Sequence, residues 1–287
     1  MTYSIVARDP ETGELGVAVQ SHYYQVGPVV PWGLAGVGAV ATQSSVNISF
    51  GPGGVELMRL GYDATHALAA VLGGDPERDA RQCAMVDAAG RVAAHTGGRC
   101  IAEAGHVVGD GFSVQANLME RATVWDAMAG AFEAAEGPLA ERLLAALDAA
   151  EAEGGDIRGR QSAAMLVLSG RPTGRVWEDR VIDLRVEDHS EPLGELRRLL
   201  RYRRAYQAAS AGDVAGHRRA LEIAPEITQL RFFAGLAMAR AGEWDEALVL
   251  LRDAIAAEPR WRQTLPRLVP AGRVSAELAA EVEARLR

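Results

Sequence analysis

The chain has 287 residues, of which 48% are hydrophobic, and its formal net charge is −8. This length accommodates one large domain and a small one. The excess of acidic residues excludes nucleic acid as the main partner, because phosphate binding needs clustered positive charge, and no apolar run is long enough for a membrane span. The first residues lack the basic and apolar segments of a leader, so we expect a cytoplasmic protein.

The basic and sulfur-containing residues narrow the chemistry further. All 30 basic residues are arginine, which excludes Schiff-base, P-loop-lysine and serine–lysine chemistry, since each of these needs a side-chain amine. The basic cluster within residues 197–204 is interpreted as a solvated helix face. The spacing of Cys83 and Cys100 suits neither a zinc site nor a redox pair. They flank a predicted hairpin and could face each other, but in a reducing compartment we expect two buried thiols. No metal or cofactor is expected.

The first two thirds of the chain predict strands and helices in alternating groups. Turn residues at 9–14 separate two strand-like segments and predict a β-hairpin. The predicted strands are 3–8, 15–20, 36–42, 82–87, 91–95, 111–117, 162–168 and 180–186. The predicted helices are 52–60, 63–72, 122–135 and 138–152. Paired helices between groups of strands indicate an α+β domain with helical layers packed on sheets, rather than a doubly wound parallel sheet.

The last third of the chain is helical in pattern, so we divide it into domains at 1–190 and 191–287. Pro225 and Pro259 each close a predicted helix pair and lie 34 residues apart, which is the period of a tetratricopeptide repeat. We therefore predict a tetratricopeptide-like helical domain with a capping helix over 275–286. The alternative is an ordinary helical bundle. Such repeats bind peptides or other proteins.

The predicted hairpin brings three polar residues to its open end. If the turn occupies residues 9–14, Arg8 pairs with Leu15, and counting back places Thr2 opposite Ser21 and Met1 beside His22. We therefore predict that Thr2, Ser21 and His22 lie together.

A threonine at position 2 supports a specific chemistry. Cells usually remove the initiator methionine before a small residue, which would give Thr2 a free α-amine beside its own hydroxyl. This amine has an ordinary pKa of about 7.7–8.0 and can accept the hydroxyl proton near neutral pH. One residue would then supply both nucleophile and base.

Five segments carry a resemblance to a known family. They are residues 2–9 (TYSIVARD), 16–19 (GVAV), 36–43 (GVGAVATQ), 109–112 (GDGF) and 158–164 (RGRQSAA). From Thr2 to about His189 the chain resembles the bacterial family called domain of unknown function 1028, whereas the helical tail lies outside the resemblance. The resemblance implies the four-layer αββα sandwich of the N-terminal-nucleophile hydrolases, the class that includes proteasome subunits.

The implied fold suggests further site residues. By analogy, Gln43 and Ser44 lie where backbone N–H groups form an oxyanion hole, and Asn117 ends a strand that faces the nucleophile. The alternatives are a self-satisfied turn for Gln43 and Ser44, and a helix cap or turn for Asn117. One departure is clear, because proteasome subunits tune the nucleophile with a lysine and this chain has none.

Two hypotheses follow. The first is an N-terminal-nucleophile amide hydrolase that acts on a small-molecule or peptide substrate through Thr2; Ser4, after trimming of the chain, is an alternative nucleophile. The second is a non-catalytic αββα scaffold whose tetratricopeptide-like tail binds a protein partner. In both cases we expect a homo-oligomer.

Overall fold

The structure divides into two compact units. It is a computed structural model and describes residues 2–287. The first unit ends at Arg197 and contains every described strand, whereas the second, Arg198–Arg287, is helical. The prediction of a mixed α and β region followed by a helical region is confirmed. Within the described range, no helix combines the length and apolar composition needed to cross a bilayer.

The described residues form ten strands and eleven α-helices. The strands are β1 (Thr2–Arg8), β2 (Leu15–Ser21), β3 (Pro31–Leu34), β4 (Gly38–Ser44), β5 (Arg81–Asp87), β6 (Val92–Thr96), β7 (Gly105–Gly109), β8 (Phe112–Asn117), β9 (Ser162–Leu168) and β10 (Arg180–Val186). The helices are α1 (Phe50–Arg59), α2 (Ala64–Gly73), α3 (Val124–Ala134), α4 (Leu139–Ala152), α5 (Val176–Asp179), α6 (Pro192–Ala209), α7 (Val214–Ile223), α8 (Thr228–Arg240), α9 (Trp244–Ala257), α10 (Arg260–Leu268) and α11 (Ala276–Arg285).

The strands form two antiparallel sheets. The first sheet has six strands in the order β10-β9-β2-β1-β8-β7, and the second has four in the order β3-β4-β5-β6. β1 therefore lies inside the first sheet, between its sequence neighbour β2 and the distant β8. This position places Thr2, the first residue of β1, between the end of β2 and the end of β8.

Side-chain hydrogen bonds fix the turn that joins β1 to β2. Asp9 Oδ1 accepts from the backbone N–H groups of Glu11 and Thr12, at 3.0 and 2.8 Å, and from the Thr12 hydroxyl at 3.0 Å. Burial alone would raise the pKa of Asp9, but these hydrogen bonds hold it below its ordinary value. Gly13 takes the left-handed conformation, with φ of 74°, that the turn requires. The predicted pairing of Arg8 with Leu15 is confirmed.

Apolar side chains fill the space between the two sheets. Because side chains alternate along a strand, Val6 of β1, Val17 of β2 and Val86 of β5 all enter one buried cluster there. The outer faces of the sheets carry the helices. α1 and α2 pack on the second sheet through residues such as Phe50 and Leu68, and α3 and α4 contact the first sheet.

Several short elements were not predicted from the sequence. β3 and β7 are edge strands of four and five residues, and each begins or ends with proline or glycine, which weakens the strand pattern. α5 has four residues. α10 contains Pro266, a residue that normally argues against a helix interior.

The two cysteines are free thiols. Cys83 is buried and pairs with His95 across the sheet, so it does not face Cys100. The expectation of two buried thiols is wrong for Cys100, which is half-buried. Cys100 follows the end of β6 at Thr96. Its Sγ lies 3.3 Å from the carbonyl oxygen of Arg81.

The helical unit packs its helices pairwise. α8 and α9 pack closely, because a Cβ on Gly235 would lie 2.7 Å from Leu251 Cγ. Glycine therefore allows these two helices to approach closely. Phe232 and Trp261 stack with ring centroids 4.7 Å apart and help to join α8 to α10.

Candidate functional site

Polar side chains gather at one end of the space between the sheets. The opposite end of this space is lined by apolar side chains. The same strands therefore carry polar residues near one end and apolar residues near the other. Seven polar residues at this end belong to five strands, and all are buried: Thr2, Ser4, Ser21, Gln43, Gln82, Gln115 and Asn117. We call this set the polar cluster. Polar groups this deeply buried are stable only if they are hydrogen-bonded, so their partners define the site.

Thr2 lies at the centre of the polar cluster. It is opposite Ser21 on one side and Asn117 on the other, so the predicted pairing of Thr2 with Ser21 is confirmed. The two hydroxyl oxygens of Thr2 and Ser21 are 2.9 Å apart. Thr2 is 5% exposed. The predicted position of Met1 beside His22 lies outside the described residues.

Two side-chain amides hold the backbone carbonyl of Thr2. Gln43 Nε2 donates to it at 3.2 Å, and Asn117 Nδ2 donates at 3.4 Å. Gln43 therefore contacts Thr2 through its side chain. These contacts fix the main chain of Thr2 and so restrict where its hydroxyl can lie.

Gln82 connects the amides of the cluster. Its Oε1 accepts from Gln43 Nε2 and from Asn117 Nδ2, both at 2.7 Å. Its Nε2 lies 2.8 Å from the carbonyl of Ala116 and 2.9 Å from the hydroxyl of Thr96. Gln82 belongs to the second sheet and Ala116 to the first, so this side chain links the sheets directly.

Ser4 lies deeper than Thr2 on the same face of β1. Its hydroxyl donates to Gln43 Oε1 at 2.6 Å and accepts from Gln115 Nε2 at 2.6 Å. The side chain is fully buried. This hydroxyl is therefore occupied in orienting Gln43.

Asn117 has an acceptor that the described residues leave unused. Its side chain is completely buried, and its Oδ1 has no hydrogen-bond partner within residues 2–287. A buried, unpaired acceptor is costly. Since Asn117 lies directly opposite Thr2, this oxygen is available to a donor at the start of β1.

His22 and Ser44 lie at the margin of the cluster. The backbone N–H of His22 donates to Asp156 Oδ2 at 3.2 Å, and the buried Asp156 carboxylate forms an ion pair with Arg158 at 2.8 Å. His22 Nδ1 is buried and has no partner among the described residues, so no hydrogen bond joins it to Thr2. Ser44 is half-buried at the end of β4, opposite Arg81, and has a left-handed φ of 71°.

The cluster continues toward His106. His106 Nδ1 lies 2.8 Å from the hydroxyl oxygen of Thr96, which accepts from Gln82. Burial, with a smaller contribution from His95, lowers the pKa of His106. The His106 ring that contacts Thr96 is therefore uncharged at neutral pH.

Three residues of the site, Gln82, Gln115 and Asp156, were not predicted from the sequence. For Gln82 and Gln115 the available signal was an amide at an inward-facing position of a buried strand, as in RQCAMVD and FSVQAN. Strand alternation alone does not show which inward positions meet one another. That requires knowing that β4 and β8 end, and β5 begins, near the start of β1.

Comparison with known proteins identifies the family of the first unit. The model of a family of unknown function, DUF1028, matches residues 2–196. The chain belongs to the DUF1028 family. The crystal structure of another DUF1028 protein, SPO2555 from Silicibacter pomeroyi, is similar, with 34% identity and a TM-score of 0.62 over 73% of this chain and 89% of that one.

A more distant likeness is to Anbu, an ancestral β-subunit, from Yersinia bercovieri. It has 12% identity and a TM-score of 0.35, and the match covers 69% of this DUF1028 chain and 93% of that chain. No curated protein matches the chain.

Proposed function

We propose that this DUF1028 protein is an N-terminal-nucleophile amide hydrolase with an αββα sandwich, in which Thr2 is the nucleophile after removal of Met1. The single observation that carries the proposal is the environment of Thr2. Its hydroxyl oxygen lies 2.9 Å from that of Ser21, and two amides hold its carbonyl. Such fixed positioning favours a reacting group over an ordinary strand end.

The α-amine of Thr2 serves as the base. The chain has no lysine, and the His22 ring makes no hydrogen bond to Thr2, so neither supplies this function. The amine has an ordinary pKa of about 7.7–8.0, and a substantial fraction is neutral near physiological pH. Asn117 Oδ1, which is unpaired within the described residues, is the proposed acceptor for an N–H of this amine.

The reaction follows from these roles. Thr2 Oγ1 attacks the carbonyl carbon of an amide while its proton moves to the α-amine, and the carbonyl becomes an oxyanion. As the C–N bond breaks, the ammonium returns the proton to the leaving amine, which leaves an ester on Thr2. Water then attacks the ester with the same amine as base and releases the acid. The amine then returns that proton to Thr2 Oγ1, which restores the hydroxyl that Ser21 holds in position.

The proposed oxyanion donors are backbone N–H groups around Gln43 and Ser44. The N–H of Thr42 donates to the carbonyl of Val30 at 3.2 Å, so the N–H of Ser44, two residues later, lies on the same edge of β4. β3 begins at Pro31 and pairs only as far as Ala41. The Ser44 N–H therefore lies beyond the paired part of that edge and suits an oxygen ligand.

The proposal is tested on protein from its native host. The mass of the N-terminal peptide should show a chain that begins at Thr2; retention of Met1 would block the amine and exclude this mechanism.

A β-lactone probe should acylate Thr2 and increase the intact mass by one adduct. Thr2→Ser should keep labelling, whereas Thr2→Ala should lose it with an unchanged melting temperature. Thr65→Ala, which removes an exposed helical threonine, is the matched control.

One observation favours the second hypothesis. Thr2 is only 5% exposed, which suits a scaffold better than an open catalytic cleft. In that case the helical tail, with its tetratricopeptide-like helix pairs, is the proposed protein-binding surface. The scaffold proposal predicts that Thr2→Ala leaves the function in cells unchanged, and the enzyme proposal predicts its loss.

A further inference from the structure

The helical unit contains a cavity that the proposed function does not use. Its volume is about 480 Å³, and it lies among α7, α8 and the segment between α10 and α11. The lining consists of Gly212, His217, Phe233, Leu236, Ala237, Arg240, Leu268, Arg273 and Val274. None of these residues is acidic. A volume of this size falls within the range of small-molecule sites, roughly 300–1,000 Å³.

Two guanidinium groups at this cavity have no carboxylate partner. Arg240 Nη2 donates to the backbone carbonyl of Arg273 at 2.9 Å, which holds its side chain against the segment that carries Arg273. Within residues 2–287 neither arginine forms an ion pair. Five other arginines of the same unit do, and they pair as Arg201–Glu226, Arg218–Glu243, Arg260–Glu258, Arg262–Glu283 and Arg285–Glu281. Arg252 has no ion pair either, but Arg240 and Arg273 differ from it because both line one cavity that has no acidic residue in its lining. In a chain with a net charge of −8, two cations placed together in this way indicate an anionic ligand.

The other walls of the cavity are apolar. Leu236 is 3% exposed, and Phe233 and Leu268 are half-buried beside it. Phe233 meets Trp261 edge-on, with ring centroids 6.1 Å apart, so the indole supports this wall from behind. An inorganic anion would leave these surfaces unfilled. The ligand that fits has an apolar body as well as a negative group.

His217 adds one neutral polar group to the lining. It is 8% exposed, and its Nδ1 has no hydrogen-bond partner among the described residues. Burial lowers the pKa of the imidazole, and Asp213 opposes that effect. Asp213 Oδ1 accepts from the backbone N–H of Gly216 at 2.6 Å, so this carboxylate already caps α7. The neutral ring therefore adds a polar group to the lining but no charge.

We propose that this cavity binds a small amphipathic monocarboxylate, with the carboxylate on Arg240 and Arg273 and the apolar group against Phe233, Leu236 and Leu268. Arginine and carboxylate form short, charge-assisted hydrogen bonds of matching geometry. Two cations suit one carboxylate, and the apolar walls suit one aliphatic group. Such an acid is either a fatty acid or an N-acyl amino acid, and both present the same chemistry to these residues.

The test is isothermal titration calorimetry of the full chain with octanoate and with N-acetyl-leucine. Binding of either acid supports the proposal, and the tighter one identifies the source. Octanol and N-acetyl-leucinamide, which lack the carboxylate, should bind at least tenfold more weakly. Equal binding of acid and neutral analogue, or binding of neither acid, would overturn the proposal. Inorganic phosphate binding as tightly as the acids would overturn it too.

The variants separate the ligand contact from stability. Arg240→Gln and Arg273→Gln should each weaken binding of the acids at least tenfold. Arg252→Gln is the matched control, because Arg252 Nη2 also donates to a backbone carbonyl, that of Arg285 at 3.1 Å, but does not line the cavity. If Arg240→Gln fails to fold, Arg273→Gln still decides, since no ion pair of its exposed side chain is lost. If Arg273→Gln binds the acids with unchanged affinity, the proposal is contradicted. Tighter binding of a heptapeptide that ends in leucine than of N-acetyl-leucine would also contradict it.

Discussion

Asn117 and Gln82 join the two sheets through their side chains, because Asn117 Nδ2 on β8 donates to Gln82 Oε1 on β5 at 2.7 Å. Gln82 Oε1 also accepts from Gln43, which in turn donates to the carbonyl of Thr2. The position of Thr2 therefore depends on an amide from the opposite sheet. The Gln82 side chain therefore contributes both to the stability of the fold and to the geometry of the site.

Replacing Gln82 should destabilise the first unit. Gln82→Leu leaves the donors of Gln43 and Asn117 with fewer acceptors in a buried place, and each unsatisfied group costs about 1–3 kcal/mol. We expect the free energy of unfolding in urea to fall by about 2–4 kcal/mol. Gln161→Leu, which removes an amide at the surface, is the control and should change it by less than about 0.5 kcal/mol. Equal effects of the two changes would show that the cluster is not structural.

Two adjacent glycines should respond differently to alanine. A Cβ on Gly97 would lie 2.2 Å from the carbonyl oxygen of Asp79, whereas a Cβ on Gly98 meets nothing within 4 Å. Gly97→Ala should therefore lower the free energy of unfolding by about 1–3 kcal/mol, since the backbone must move. Gly98→Ala should be neutral or slightly stabilising. The pair is compared by thermal and urea unfolding, and a larger loss in Gly98→Ala would contradict the described turn.

Tyr3 should make the first unit sensitive to alkali. Burial, followed by the nearby Glu151 carboxylate, raises the pKa of the Tyr3 phenol well above its ordinary 10.0. The folded state therefore holds this proton more tightly than the unfolded state does. The stabilisation is fully present below pH 10.0 and declines as the pH rises above it.

The free energy of unfolding is measured in urea at a series of alkaline pH values. Tyr3→Phe should flatten the loss of stability above pH 10.0. Tyr24, whose side chain is 58% exposed, provides the control, and Tyr24→Phe should keep the steep loss. Identical pH profiles for the wild type and Tyr3→Phe would show that the phenol is not held as described.

The two thiols should differ in reactivity. Burial raises the pKa of the Cys83 thiol, and the thiolate is the reactive form. Cys100 is half-buried. In the native protein, an aromatic disulfide reagent should modify Cys100 and leave Cys83 intact until urea unfolds the chain. Cys100→Ser should abolish the native reaction; reaction of a second thiol in the folded protein would contradict the burial of Cys83.

Local chemistry accounts for the parts of the site that could be predicted. The turn at Asp9–Gly13 fixes the register of β1 and β2, so the pairing of Thr2 with Ser21 followed from counting residues. The positions of Gln43 and Asn117 beside Thr2 followed only from the implied fold. The side-chain contact of Gln43 with the Thr2 carbonyl was not part of that expectation, which concerned backbone N–H groups for an oxyanion.

Tertiary packing accounts for the parts that could not be predicted. Gln82 lies on β5, and nothing in its sequence neighbourhood shows that this residue faces Asn117 across the sheets. The edge strand β7, GHVVG, is short, and glycines begin and end it. β7 is recognised as a strand only by its pairing with β8, in which Val107 lies opposite Val114. Predicting the cavity beside Arg240 would likewise require the path of the chain after α10. That helix is hard to predict from the sequence because it contains Pro266.

The place of β1 in the first sheet also determines when the site can exist. Thr2 and Asn117, which bond across neighbouring strands, are 115 residues apart in the chain. During synthesis the β1–β2 hairpin leaves the ribosome before β8 and β9, and both of its edges remain unpaired until those strands arrive. Contacts this distant in sequence form slowly. The nascent chain therefore carries the proposed nucleophile long before it can act, and the order of folding itself delays any activity until the domain is nearly complete.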